Sequence, residues 1–147
     1  SSDAIRVYSA NVYEPFGYTK KEFLNDFNFD NVLWGIDGDW MVNYLKKDIP
    51  FYPTDHCGVI RIIQNNILEP KYLTWLLEEI GRKERFSRSN RASTARIKAL
   101  SIKAPKDYKF QQQIVSQIEE LEKIIDKNNQ FINNSKQKKE EILKKYL

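Results

Sequence analysis

From Lys106 to Leu147 the chain contains neither Gly nor Pro, and its apolar residues recur at alternating three- and four-residue spacing. Ile114, Ile118, Leu121, Ile125, Ile132, Ile142 and Tyr146 fall on one heptad register, with Asn128, Ser135 and Lys139 at its remaining seam positions. The pattern predicts one long helix bearing an interrupted apolar stripe. At about 1.5 Å per residue such a helix spans roughly 60 Å, about twice the diameter of a small domain, so one globular head cannot cover it. The stripe requires a second helix. The chain is therefore expected to be a head of residues 1–105 followed by a coiled-coil helix of residues 106–147.

The head has the material for one core. Trp34, Trp40, Trp75 and most of the eight Tyr and eight Phe precede the helix, which favours an ordered, well-packed domain. Cys57 is the single cysteine, so no internal disulfide can form, and no apolar run approaches the roughly 20 residues that span a bilayer. A soluble, cytoplasmic chain without a membrane partner is the expectation. Met41 is the only methionine and the chain opens Ser1-Ser2-Asp3, so a fragment of a longer product is expected.

The net charge of +4 is unevenly placed. Between Arg82 and Lys98, seven cations (Arg82, Lys83, Arg85, Arg88, Arg91, Arg96 and Lys98) stand against Glu84 alone, leaving the other residues at −2. Here guanidinium groups alternate with small hydroxyl and amide side chains, as in Arg85, Arg88, Asn90, Arg91, Ser93, Thr94 and Arg96. Arg and Lys neutralise phosphates and release counterions, Ser and Thr donate to phosphate oxygens, and Arg or Asn can pair with base edges. The segment is thus a candidate surface for double-stranded DNA, against the plainer reading of a solvated basic loop. Tyr18, Lys20 and Lys21 form a candidate second patch.

Ile5–Tyr8 reads as a strand and Phe16–Thr19 as a turn displaying its side chains. Val32–Ile36 and Trp40–Asn43 flank Asp37-Gly38, the signature of a two-residue hairpin turn. Phe51–Thr54 leads into a buried strand over Val59–Ile63. Pro70 opens a helix whose Tyr72, Leu73, Leu76, Leu77 and Ile80 share one face and which is expected to stop at Gly81. Pro105 ends the head, and Asp107 is the predicted N-cap of the long helix. The fold class expected is α+β, a mixed β-sheet with packed helices followed by the single long helix.

Catalytic motifs are sparse. His56 and Cys57 are the only residues of their kinds, so a zinc site would need two carboxylates at unusual spacing. As neighbours on a strand they would point to opposite faces, which excludes a Cys-His nucleophile pair. Asp37, Asp39 and Asp55 lack the Lys or Glu of a recognisable nuclease pattern, and neither an Asn-Pro-Pro-aromatic tetrapeptide nor a Gly-rich phosphate loop occurs. Thr54, Asp55 and His56 read more simply as a hydrogen-bonded loop leading into a strand.

Taken in order, Phe16-Gly17-Tyr18, Trp34-Gly35-Ile36-Asp37-Gly38, Thr54-Asp55-His56-Cys57-Gly58, Arg91-Ala92-Ser93-Thr94, Pro105 and Gln111-Gln112-Gln113-Ile114 resemble the specificity subunit of type I restriction-modification systems. The module is also similar to the carboxy-terminal specificity region of fused restriction-methyltransferase enzymes. The resemblance implies a non-catalytic target-recognition domain followed by a long helix. Such a helix pairs antiparallel with a second one, in a homodimer or with a second specificity repeat. It further implies that an adenine methyltransferase and restriction subunits, or fused domains, carry out the chemistry with S-adenosylmethionine, Mg and ATP. Two departures stand out. A full subunit has two heads and two helices where this chain has one of each, and Gln111 stands where the family usually places Glu. The rival readings are a coiled-coil adaptor with a non-specific basic surface, and a small hydrolase using Asp55 and His56.

Overall fold

The computed structural model describes residues 4–20, 27–64 and 66–147. Strands β1 (Ile5–Tyr8), β2 (Gly17–Thr19), β3 (Asn31–Gly35), β4 (Val42–Leu45), β5 (Phe51–Pro53) and β6 (Cys57–Arg61) precede helices α1 (Pro70–Lys83), α2 (Thr94–Lys98) and α3 (Tyr108–Tyr146). The architecture is α+β, as expected, but the strands divide into two three-stranded sheets, ordered β2-β1-β5 and β4-β3-β6. The first is mixed, with β1 antiparallel to β2 and parallel to β5. The second is antiparallel throughout.

Strand β3 explains why two sheets form. All five of its residues are buried. Val32 and Trp34 point into a core with Val42, Leu73, Leu77, Phe86 and Ala92, while Leu33 points the other way, into a core with Tyr8, Val12, Leu45, Phe51 and Cys57. A strand with apolar residues on both faces must be covered on both, here by α1 and by the first sheet. Gly58 sits opposite Trp34 in the ladder, and a Cβ there would lie 2.1 Å from the indole. The glycine leaves room for the ring.

Several local expectations need correction. Phe16–Thr19 is not a turn, since Gly17–Thr19 form the edge strand β2. The β3–β4 connection is not a two-residue turn: Trp34 pairs with Val42, the amide of Gly35 donates to the Met41 carbonyl, and no glycine has positive φ. Gly35 and Gly38 instead let the loop press against Ala10, whose atoms would lie 2.4 and 2.7 Å from the added Cβ atoms. Strand β6 ends at Arg61, and Ile63 lies beyond it, exposed.

Helix α1 begins at Pro70 with Glu69 as N-cap, whose carboxylate accepts from the Tyr72 amide at 2.7 Å. It passes Gly81 and ends at Lys83. Gly81 does not stop it, because its role is close packing: a Cβ would lie 2.1 Å from the Trp40 ring, whose Nε1 donates to the Glu78 carbonyl at 2.9 Å. Asp107 caps α3 as expected, its carboxylate accepting from the Lys109 amide at 3.0 Å. The chain forms two compact units, Ser1–Gln111 and Gln112–Leu147. In the second unit the seam residues Leu121, Ile125, Ile132, Ile142 and Tyr146 are exposed, and so are Ile124 and Phe131, seven residues apart and each one position before a seam residue. These two widen the apolar band beyond a strict heptad stripe. Among the described residues no helix is long and apolar enough to cross a membrane.

Candidate nucleic-acid interface

The basic segment leaves α1 through Arg85, whose φ of 59° is left-handed. That reversal returns Phe86 to the core, where its amide donates to the Gly81 carbonyl at 3.0 Å and its ring lies 5.1 Å from Trp40. The second anchor is Ala92, buried at 1% exposure. Its amide donates to the Ile36 carbonyl at 2.8 Å, and its carbonyl accepts from Trp34 Nε1 at 2.8 Å. Residues 87–91 therefore form a loop tied at both ends.

The loop is also braced internally. The Ser87 and Asn90 backbones exchange hydrogen bonds of 2.9 and 3.2 Å, and Asn90 Nδ2 donates to the carbonyls of Glu84 and Arg85 at 3.1 and 2.9 Å. Arg96 Nη1 donates to Asn90 Oδ1 at 2.6 Å and to the Arg91 carbonyl at 2.7 Å, while its guanidinium stacks 4.7 Å from the Phe86 ring centroid. Ser93 caps the short α2, its hydroxyl accepting from the Arg96 amide at 3.3 Å. Thr94 opens that helix and is exposed. Asn90, Ser93 and Arg96 thus hold the loop's shape, whereas Arg85, Arg88, Arg91 and Thr94 face solvent.

Carboxylates from other elements meet several of these cations. Arg88 Nε donates to Asp39 Oδ1 at 2.8 Å, with Nη2 3.5 Å from Oδ2. The Arg88 guanidinium holds the Asp39 carboxyl below the ordinary carboxylate value, chiefly through that hydrogen bond, and Arg88 is raised in turn. Arg91 Nη2 lies 3.6 Å from Asp37 Oδ2, which is itself 2.6 Å from His56 Nδ1. A carboxylate only accepts, so Nδ1 carries a hydrogen. Arg82 pairs with Glu78 and Glu79 along α1. Among the described residues no carboxylate pairs with Lys83, Arg85 or Lys98. The surface formed by the β3–β4 loop, the Thr54–His56 turn and residues 85–94 is therefore less positive than the linear charge count implies, and it mixes donors with acceptors. Chemically, such a surface offers donors that suit phosphate oxygens, and both donors and acceptors that suit base edges.

The model of the type I restriction modification DNA specificity domain matches residues 5–142. The chain belongs to that family. No curated protein and no solved structure gives a significant match. As a member of a DNA specificity domain family, the chain has recognition of DNA sequence as its class of function.

Other candidate residues of the specificity domain lie elsewhere. Tyr18 and Lys20 are exposed, Tyr18 in the edge strand β2 and Lys20 just after its end, while Lys21 lies outside the described residues. Thr54 organises its turn as expected, its hydroxyl accepting from the His56 amide at 3.2 Å, and the Ile36 amide donates to the His56 carbonyl at 3.0 Å. Cys57 is buried in the core, which pushes its thiol up to about 12. Among the described residues no group of three or more His, Cys, Asp or Glu could hold a metal ion. Sequence reading missed Asp39 as the partner of Arg88, because 49 positions separate them.

Proposed function

We propose that this specificity domain binds duplex DNA through the loop of residues 85–96, without catalysing a reaction itself. Arg85 and Arg91 engage phosphates, Thr94 adds a hydroxyl donor, and Arg88 faces the bases. Asn90, Ser93 and Arg96 act by holding the loop, and Tyr18 and Lys20 supply a further patch. The observation that carries this reading is the Ala92 anchor, which fixes a solvent-facing basic loop against the buried strand β3. A loop already ordered in the free chain loses less conformational freedom on binding than a mobile basic tail.

In this reading, adenine methylation and cleavage belong to partner subunits or fused domains, which use S-adenosylmethionine, Mg and ATP. The apolar band of α3 pairs with a second such helix, from another copy or from a second specificity repeat, and sets the distance between two heads. The same exposed band also favours a second reading, a coiled-coil adaptor whose basic surface has no sequence preference.

Binding to a randomised duplex pool across a salt series, with and without a methyltransferase partner, separates the two. Target recognition predicts an enriched motif, in two parts with fixed spacing when two heads are joined. Salt-sensitive binding without enrichment overturns sequence recognition and leaves only a basic surface. No binding under either condition supports the adaptor.

A further inference from the structure

Resting on that reading, we infer that Arg88 reads a guanine and is held for that task by Asp39, while Lys83 and Arg85 contact phosphates. The two kinds of cation differ in what surrounds them. Arg88 has a carboxylate along its Nε–Nη2 edge, at 2.8 and 3.5 Å. That carboxylate comes from the β3–β4 loop, and both side chains are largely exposed, at 75% and 65%. A phosphate approaching Arg88 meets the negative charge of Asp39 as well as the guanidinium, so the pair is a poor phosphate clamp. The edge of a base carries no net charge and meets no such repulsion.

The geometry of the guanidinium leads to the same assignment. Asp39 occupies the side edge and leaves the Nη1–Nη2 end, whose two parallel N–H groups match the O6 and N7 acceptors of guanine in the major groove. Asp39 also limits the rotamers of a long side chain, which lowers the ordering cost of a bidentate contact. Arg91 is not held in this way. It is 3.6 Å from Asp37, whose same oxygen is already engaged by His56. Arg85 stands where the backbone turns with positive φ and has no carboxylate partner among the described residues.

The test uses the full chain and the same randomised pool, with retained duplexes sequenced for wild type, Arg88→Lys, Arg88→Ala, Asp39→Asn and Arg85→Ala. Lys keeps the charge but cannot form the paired contact. The expectation is that Arg88→Lys relaxes preference at one G·C pair by roughly 5- to 140-fold, with the salt slope unchanged. Asp39→Asn should relax the same pair while tightening binding to random duplex. Arg85→Ala should leave the motif intact and reduce the salt slope by about 0.9, as for one lost phosphate contact. An unaltered motif in Arg88→Lys, with the slope lowered in Arg88→Ala, makes Arg88 a phosphate contact and overturns the inference. Loss of preference at a pair other than G·C overturns it as well. If Asp39→Asn keeps full preference, the supporting role of Asp39 is overturned. A wild-type chain that enriches no motif sinks the sequence-recognition reading and this inference with it, whereas a wild-type motif that Arg88→Lys leaves unaltered sinks the inference alone.

Discussion

The side-chain amide of Gln111 donates to the Pro105 carbonyl at 2.7 Å and joins the end of the head to the first turns of α3 from a position only 1% exposed. The same nitrogen donates to the Ile67 carbonyl at 3.1 Å, and the Gln111 oxygen accepts from the Glu69 amide at 2.8 Å. Glu, the residue the family pattern leads one to expect here, would keep the acceptor, lose both donors and set a carboxylate against two carbonyls. Gln111→Glu should destabilise the head by about 3 kcal/mol, the range for buried polar groups left unpaired. A urea midpoint equal to wild type would show that the junction relaxes around the change.

Two glycines, Gly81 in α1 and Gly58 in β6, should respond to Ala against the usual preference for Ala over Gly inside a helix or strand. In an exposed helix Gly→Ala stabilises by about 1 kcal/mol. At Gly81 the added methyl meets the Trp40 ring, and at Gly58 it meets Trp34. Both Gly81→Ala and Gly58→Ala should therefore lower stability, by about 1 to 3 kcal/mol as for overpacked cores. Thermal melts followed by tryptophan fluorescence test this, and a raised midpoint for Gly81→Ala would contradict the packing described.

These glycines mark where sequence reading stopped. The run Val32–Gly35, the helical face of Leu73 and Leu77, the Asp107 cap and the long helix were all legible, because periodicity and capping are local properties. Gly38 and Gly81 were read through local turn and stop preferences, whereas each actually makes room for a residue distant in sequence, Ala10 or Trp40. The interface was half legible for the same reason. Composition located the basic segment, but the acids that meet Arg88 and Arg91 come from another loop. Nothing in the segment itself distinguishes Arg96, spent on bracing Asn90, from Arg85, left in solvent.

Stability should fall on the alkaline side. Burial raises the Cys57 thiol from 9.0 to about 12, and burial together with the hydrogen bond to Asp30 raises the Tyr44 hydroxyl above its ordinary value of 10.0. For an acid whose folded value lies above its unfolded value, the neutral form is favoured by folding. The contribution is complete below the unfolded value and is lost as pH rises toward the folded one. Urea midpoints should thus decline between about pH 9 and pH 12, and less steeply in Cys57→Ala. The same burial predicts that a thiol reagent at pH 8 modifies Cys57 slowly in the native chain and rapidly in urea.

The apolar band of α3 gives a prediction about association. If two copies pair through it, sedimentation should show a concentration-dependent dimer that Leu121→Gln with Ile125→Gln dissociates. Because Ile124 and Phe131 widen the band, Ile124→Gln with Phe131→Gln should weaken the dimer too, although neither lies on the heptad seam. A wild-type monomer at all concentrations would exclude self-pairing and favour a helix from another specificity repeat.

The hydrogen bond from Trp34 to Ala92 has an experimental use of its own. Trp34 is only 2% exposed, and its indole nitrogen is hydrogen-bonded directly to the backbone of the loop proposed to bind DNA. Any strain or release of that loop alters the electrostatic surroundings of a chromophore sealed inside the protein. With Trp40 and Trp75 replaced by Phe, the emission of Trp34 becomes an intrinsic optical signal for the loop, readable during DNA titration without attaching a dye.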